Sequence, residues 1–212
     1  MRALILLAIA LGPGLGSMGC ALTSRGETLD IRWFSPEPAI PRLTSGASPA
    51  ERPEAGLALE LGRVRSGLHL RDKIAYRDSS FELGYYEDRR WTERPEVFVR
   101  RDLARTLFEE RGLERAFGGP VRVLDVEVLA FEEIRGPAPA ARVSLRMVLH
   151  DHRRAVLERT ITVDRPVTGA DRSAASVVQA MALALDEAVE QVVDAAVKEL
   201  LRSASATRGA PP

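Results

Sequence analysis

The sequence predicts an α+β fold, a largely antiparallel sheet with two helices packed on one face, and three observations carry that expectation. Residues 124–130 and 143–149 alternate apolar with polar side chains, which turns one sheet face to a core and the other to water. From about Arg172 to Arg202 there is no Gly or Pro, and Val178, Met181, Leu185, Val189, Val192, Ala196 and Leu200 share one helical face. A shorter helical stretch opens at Pro95, and two amphipathic helices need a sheet face to cover.

The elements follow in order from the N-terminus. Arg2 and the run Ala3–Leu11 form a positive n-region and a short apolar h-region, so residues 1–19 read as a signal peptide. Cys20 is the only cysteine, with small Gly19 and Ser17 on its leaving side, a loose fit to a bacterial lipobox. Met18 stands where a smaller residue is usual, and no Leu lies three residues before the cysteine. A free thiol in an oxidising compartment invites intermolecular disulfides, whereas acylation consumes it, so Cys20 is read as the lipidation site. That covalent lipid is the only non-protein group expected; no cofactor is.

Residues 20–56 read as the lipidated N-terminus and a tether rich in proline (Pro36, Pro38, Pro41, Pro49, Pro53), with one early strand at Ile31–Phe34. An α+β domain is expected over 57–202. Leu57, Leu59 and Leu61 open it with a period of two, and Gly62 suggests a bulge. Ile74–Tyr76 and Phe81–Tyr86 flank the polar turn Arg77–Ser80 as a hairpin. The first helix should run from Pro95 to about Arg111 and stop at Gly112, with Val99, Leu103 and Leu107 inward. Arg100 and Arg111 fall within its apolar arc and must snorkel or find acidic partners. Strands near 124–130, 143–149 and 157–163 follow, the last two antiparallel because the Asp151–Arg154 turn is too short for a crossover. Asp171 is placed to cap the long helix, and 203–212 reads as a disordered tail.

Composition narrows the function. Lys plus Arg equals Asp plus Glu at 30 each, and removing residues 1–19 leaves 29 basic against 30 acidic, so the basic excess of a nucleic-acid binder is missing. Gly12–Gly16 resembles a phosphate loop only by letter, since it lies in the signal segment without the following Lys-Ser/Thr. His150 and His152 lack a third nearby ligand and read as solvated strand-end residues. Asp125 with Glu127, and Glu132 with Glu133, are ordinary for a polar strand face; no catalytic residue and no metal site is assigned, and the chain is not expected to be an enzyme. Tyr85, Tyr86, Arg89, Arg90 and Trp91 concentrate aromatics and Arg in one connection, a composition that favours partner binding. The alternative is that Trp91 and one Tyr close the edge of the core.

Leu61–Arg65, Ile74–Arg77, Phe81–Tyr86 and Arg90–Pro95 together resemble the ABC-type transport auxiliary lipoprotein family, and the likeness extends from about residue 29 to 202. The order of lipobox, sheet, helix after the Trp, further strands and long final helix is also similar. The resemblance implies a periplasm-facing lipoprotein, held to the membrane by its lipid anchor, that accompanies a phospholipid ABC transporter. The other parts of such a system are an MCE-type substrate-binding protein, a permease and an ATPase. Ala21 after the cysteine suggests outer-membrane sorting by the enteric rule. Two roles are carried forward: a docking or assembly subunit, and a lipid-binding shuttle that holds acyl chains between helices and sheet. An envelope hydrolase is a minor third, and a homo-oligomer is left open. A large apolar cavity would favour the shuttle, a packed core with an exposed aromatic edge the docking role.

Overall fold

The computed structural model describes residues 29–37, 56–151, 153–169 and 173–208. The signal peptide, Cys20, most of the tether, His152, Asp171 and residues 209–212 lie outside the described residues. The strands are β1 (Arg32–Phe34), β2 (Ala58–Ser66), β3 (Lys73–Arg77), β4 (Leu83–Trp91), β5 (Glu114–Arg115), β6 (Arg122–Ile134), β7 (Ala140–His150) and β8 (Ala155–Pro166). The helices are α1 (Pro95–Ala104), which continues as a π-helical segment over Arg105–Glu110, and α2 (Ala174–Arg208).

All eight strands form one sheet. Its backbone is the antiparallel meander β6–β7–β8, paired along nearly the whole of each strand. The other edge of β6 is shared: β2 runs parallel to its first half, from Leu59 opposite Arg122 to Ser66 opposite Val128, and β3 runs parallel to its end at Glu132–Ile134. The hand-over coincides with a bulge in β6 between Val128 and Ala130. The Gly67 N–H carries the ladder one step further by donating to the Val128 carbonyl at 3.2 Å. β4 pairs antiparallel with β3 as the expected hairpin, and β1 lies parallel to β4 at the margin. The sheet is mostly antiparallel, as expected, but short parallel pairings join β1 to β4, β5 to β2, and both β2 and β3 to β6.

Both helices pack on one face, α2 across β7 and β8 and α1 over β2 and β6. Leu124, Val126, Val128 and Phe131 of β6 and Val143, Leu145, Met147 and Leu149 of β7 are buried beneath Phe98, Val99, Leu103, Met181, Leu185, Val189 and Val192. Buried Ala180, Ala184, Ala188 and Ala196 let α2 approach the sheet closely. Each fully buried large side chain contributes about 1.5–3 kcal/mol, so this layer holds the fold together. The opposite face is polar: Arg65 and Arg146 both reach Glu127, at 3.5 and 3.8 Å, and Arg146 continues to Glu158 at 2.6 Å, one ladder across four strands.

Local chemistry explains the boundaries. Gly62 sits where the β2–β6 register slips between Leu61 and Val64. A Cβ there would collide with Val123 and with the Asp125 carboxylate, which accepts the Arg63 N–H at 2.6 Å. The first helix widens after Ala104, which the sequence reading did not foresee; Arg105 and Glu110, five residues apart, form an ion pair along the widened turn. Gly112, at φ 73°, adopts the left-handed conformation that ends it. Arg100 and Arg111 resolve their awkward positions separately. Arg100 donates to the Gly62 carbonyl at 2.7 Å, and Arg111 to Glu190 and Asp194 of α2 at 2.9 and 2.5 Å. The Ser173 hydroxyl accepts the Ser176 N–H at 3.3 Å at the start of α2. The helix continues through Arg208, past the tail expected from 203, because no Gly or Pro interrupts the sequence until Gly209.

Candidate partner-binding edge

The residues singled out as a partner-binding group all lie on β4, the strand next to the sheet margin. They divide sharply by environment. Trp91, 1% exposed, is in the core, edge-to-face with Phe98 at 6.2 Å and with Phe131 at 5.2 Å between ring centroids. It cannot touch a partner, so the edge-closing alternative describes it and the partner-binding assignment is corrected at this position. The physical reason is parity: Phe34 of β1 pairs with Trp91, and both turn toward the helices.

Tyr86 is half-buried in a cluster that no sequence pattern announced. Its hydroxyl donates to Glu133 Oε2 at 2.5 Å, and its ring meets Tyr76 edge-on at 5.1 Å. The Arg135 guanidinium lies 3.3 Å from the Tyr76 ring centroid and 4.6 Å from that of Tyr86, and the Arg89 guanidinium stands over the other flank of Tyr86 at 4.0 Å. Burial and the bond to Glu133 push the Tyr86 phenol above its usual range, so it remains a neutral donor. Tyr76 spreads over Gly84 so closely that a Cβ there would strike the ring. The bulge in β6 creates this arrangement by turning Glu133 to the helix side and Glu132 to the opposite face, where it is nonetheless buried. Glu132 is held there by Arg77 through two bonds of 2.8 and 3.2 Å.

Arg90 is also engaged internally, donating from Nη1 to the Tyr86 and Arg89 carbonyls at 3.0 Å each and pairing with Asp72 at 3.4 Å. Tyr85 donates to the His69 carbonyl at 3.0 Å and is half-buried. Arg89 is mostly covered, its side chain 22% exposed, and at the tip of the same hairpin Phe81 is 98% exposed. The edge therefore presents Phe81, one side of Tyr85 and the uncovered part of Arg89, braced from behind by Tyr76, Tyr86, Arg90, Glu133 and Arg135. The sequence analysis places Phe81 at the start of the second hairpin strand, whereas β4 begins at Leu83 and leaves Phe81 in the exposed turn.

The clefts on the surface are lined with charge. A cleft beside α1, about 510 Å³, has Glu60, Arg63, Arg100, Arg115 and Asp125 in its walls. His150 reaches it too, 3.4 Å from Asp125. Among the described residues no group of three His, Cys, Asp or Glu is placed to hold a metal ion, and no helix is long and apolar enough to cross a membrane.

The family model for the ABC-type transport auxiliary lipoprotein component matches residues 41–193. This chain belongs to that family. The auxiliary lipoprotein fold is similar to a crystal structure from Xanthomonas campestris at 23% identity and TM-score 0.63, covering 74% of this chain and 93% of that one. A second crystal structure, of an uncharacterized protein, is similar at 15% identity and TM-score 0.58, covering 68% and 94% respectively. A search of curated proteins returns no match. At these identities the likeness carries the fold, and the family membership carries the assignment to ABC-type transport in the bacterial envelope.

Proposed function

We propose that this auxiliary lipoprotein is a docking or assembly subunit of an MCE-linked lipid transport system, anchored through acylated Cys20 at the periplasmic face of the outer membrane. It acts by contact and turns over no substrate. The observation that carries the reading is the filled interface between helices and sheet: Phe98, Leu103, Leu107, Leu145, Met147, Met181 and Leu185 occupy the space a shuttle would leave for acyl chains. The partner surface is the β3–β4 hairpin, which offers the exposed aromatic Phe81 at its tip, Tyr85 along β4 and the Arg89 cation toward its other end. The partner is the MCE-type substrate-binding protein, and permease and ATPase supply the energy.

The test is co-purification from envelope extracts. Changing Phe81 and Arg89 together to Ala should reduce recovery of the MCE-type protein, since a central interface side chain contributes about 2 kcal/mol or more. Thermal stability should stay within about 1 kcal/mol, the size of the lost cation–π contact to Tyr86. Wild-type recovery of the partner by the double variant refutes the docking edge. Phospholipid retained in stoichiometric amount by the purified wild type would establish the shuttle in its place.

A further inference from the structure

Leu29 and Ile31 in the segment leading into β1, and Trp33 within it, stand at every second position, the spacing that puts side chains on one side of an extended chain. They are 60%, 45% and 59% exposed, a run of large apolar groups left in water. Arg32 and Phe34 take the other side, Arg32 over the Phe34 ring at 5.2 Å, while Phe34 packs against the core. The ridge is thus not displaced core: the segment already uses its inward positions. Among the described residues β1 pairs only with β4, and its outer flank is open.

We propose that this ridge rests in the interfacial layer of the lipid bilayer and sets the orientation of the domain on the membrane. The inference deepens the proposed function and rests on its lipid anchor at Cys20. Leu29 stands nine residues after that cysteine. Nine residues span at most about 30 Å when fully extended. An acylated cysteine lies at headgroup level, so that reach keeps Leu29 within about 30 Å of the bilayer surface. Tethering raises the local concentration of the surface, and a contact too weak to hold a free protein becomes effective. The side chains suit that layer: Trp prefers the boundary between water and acyl chains, and Leu and Ile bury beside it. The ridge precedes the family-matched residues 41–193.

Depth-resolved quenching of Trp33 tests the placement. Trp33 and Trp91 are the only tryptophans, and Trp91 is enclosed in the core. The acylated wild-type chain, purified from membranes, is reconstituted into vesicles of phosphatidylethanolamine and phosphatidylglycerol that carry phosphatidylcholine brominated near the top of its acyl chains. Trp33 emission should shift to the blue and be quenched by the brominated lipid, and a Trp33→Phe variant should lose that quenching. Replacing Leu29 and Ile31 with Ser should weaken it while the protein stays vesicle-bound. If intact mass confirms acylated Cys20 but Trp33 stays open to aqueous iodide and untouched by brominated lipid, the ridge proposal is wrong and the anchor stands. If Trp33 is shielded from iodide yet insensitive to brominated lipid, protein covers the ridge, which equally overturns the lipid assignment. A Cys20 without acyl groups overturns the anchor, and the placement of the ridge falls with it.

Discussion

Replacing Trp91 with Ala separates a core role from a surface role at one position. The side chain is 1% exposed and edge-to-face with two rings, Phe98 of α1 and Phe131 of β6. An aromatic of this class buries about 150–250 Å², worth roughly 4–6 kcal/mol at 25 cal/mol per Å². Truncation to Ala retains the Cβ and permits partial collapse, which brings the expected loss to about 3–5 kcal/mol. Against a total stability of about 5–15 kcal/mol, that is a large fraction. Urea unfolding of the detergent-solubilised mature chain, followed by far-ultraviolet circular dichroism, should show a lowered midpoint with little change in slope. The melting temperature should fall by about 6–20 °C, at 2–4 °C per kcal/mol for a domain of this size. A loss below about 1 kcal/mol, the range of surface substitutions, would refute the placement of Trp91 in the core.

Leu185, 1% exposed on the inward face of α2, should not tolerate Asp: a buried unpaired carboxylate costs several kcal/mol, of the order of ~5 kcal/mol or more, and the variant should lose its cooperative melting transition. Unchanged melting would show that this helix face is not core. Acid stability should depend partly on Asp164, whose carboxylate is held below its usual range mainly by two hydrogen bonds of 2.7 Å from Arg142. Because the folded pKa is depressed, its stabilisation is complete above the unfolded value of about 3.9 and disappears as pH falls through the folded value. Asp164→Asn should therefore flatten the fall of the urea midpoint below about pH 4. The change should be small, since the pair is exposed and screened, and an identical acid profile in the variant removes Asp164 from the account.

What was legible in the sequence is what local periodicity encodes. The alternation at Leu124–Val128 and Val143–Leu149 marked β6 and β7 and the face each buries, and the spacing of Met181, Leu185, Val189, Val192 and Ala196 marked α2 and its inner side. The two-helix, largely antiparallel α+β class followed, because those faces can be covered in few ways. What was not legible depends on partners distant in sequence. That β2 and β3 share one edge of β6 is decided by the bulge at Val128–Ala130, which breaks the alternation just where the pattern Leu129-Ala130-Phe131 ceases to specify a face. β5 pairs through only two residues, Glu114 and Arg115, both polar, and gives no pattern to read.

The partner-binding group shows why composition alone could not settle which side chains face outward. Tyr, Trp and Arg are enriched at interfaces because each joins a large apolar body to a polar end. The same property makes them suitable for closing the margin of a core, where one end must be dry and the other wet. Along β4 both uses occur within a few residues: Trp91 is wholly inside, Tyr86 reaches in to donate to Glu133, and Arg89 covers Tyr86 from the outside. Which use applies is determined by β1, which flanks β4 and supplies Phe34, and by β6, one strand beyond β3, which supplies Glu133; neither is adjacent to β4 in sequence. The brace formed by Tyr76, Tyr86, Glu133 and Arg135 has a consequence for the proposed docking edge: it fixes the hairpin strands behind Arg89 in the chain alone. A pre-organised edge gives up less conformational freedom on binding, so in the proposed docking role a few side chains such as Phe81, Tyr85 and Arg89 would suffice for a contact that acylation of Cys20 would also keep close to the proposed partner.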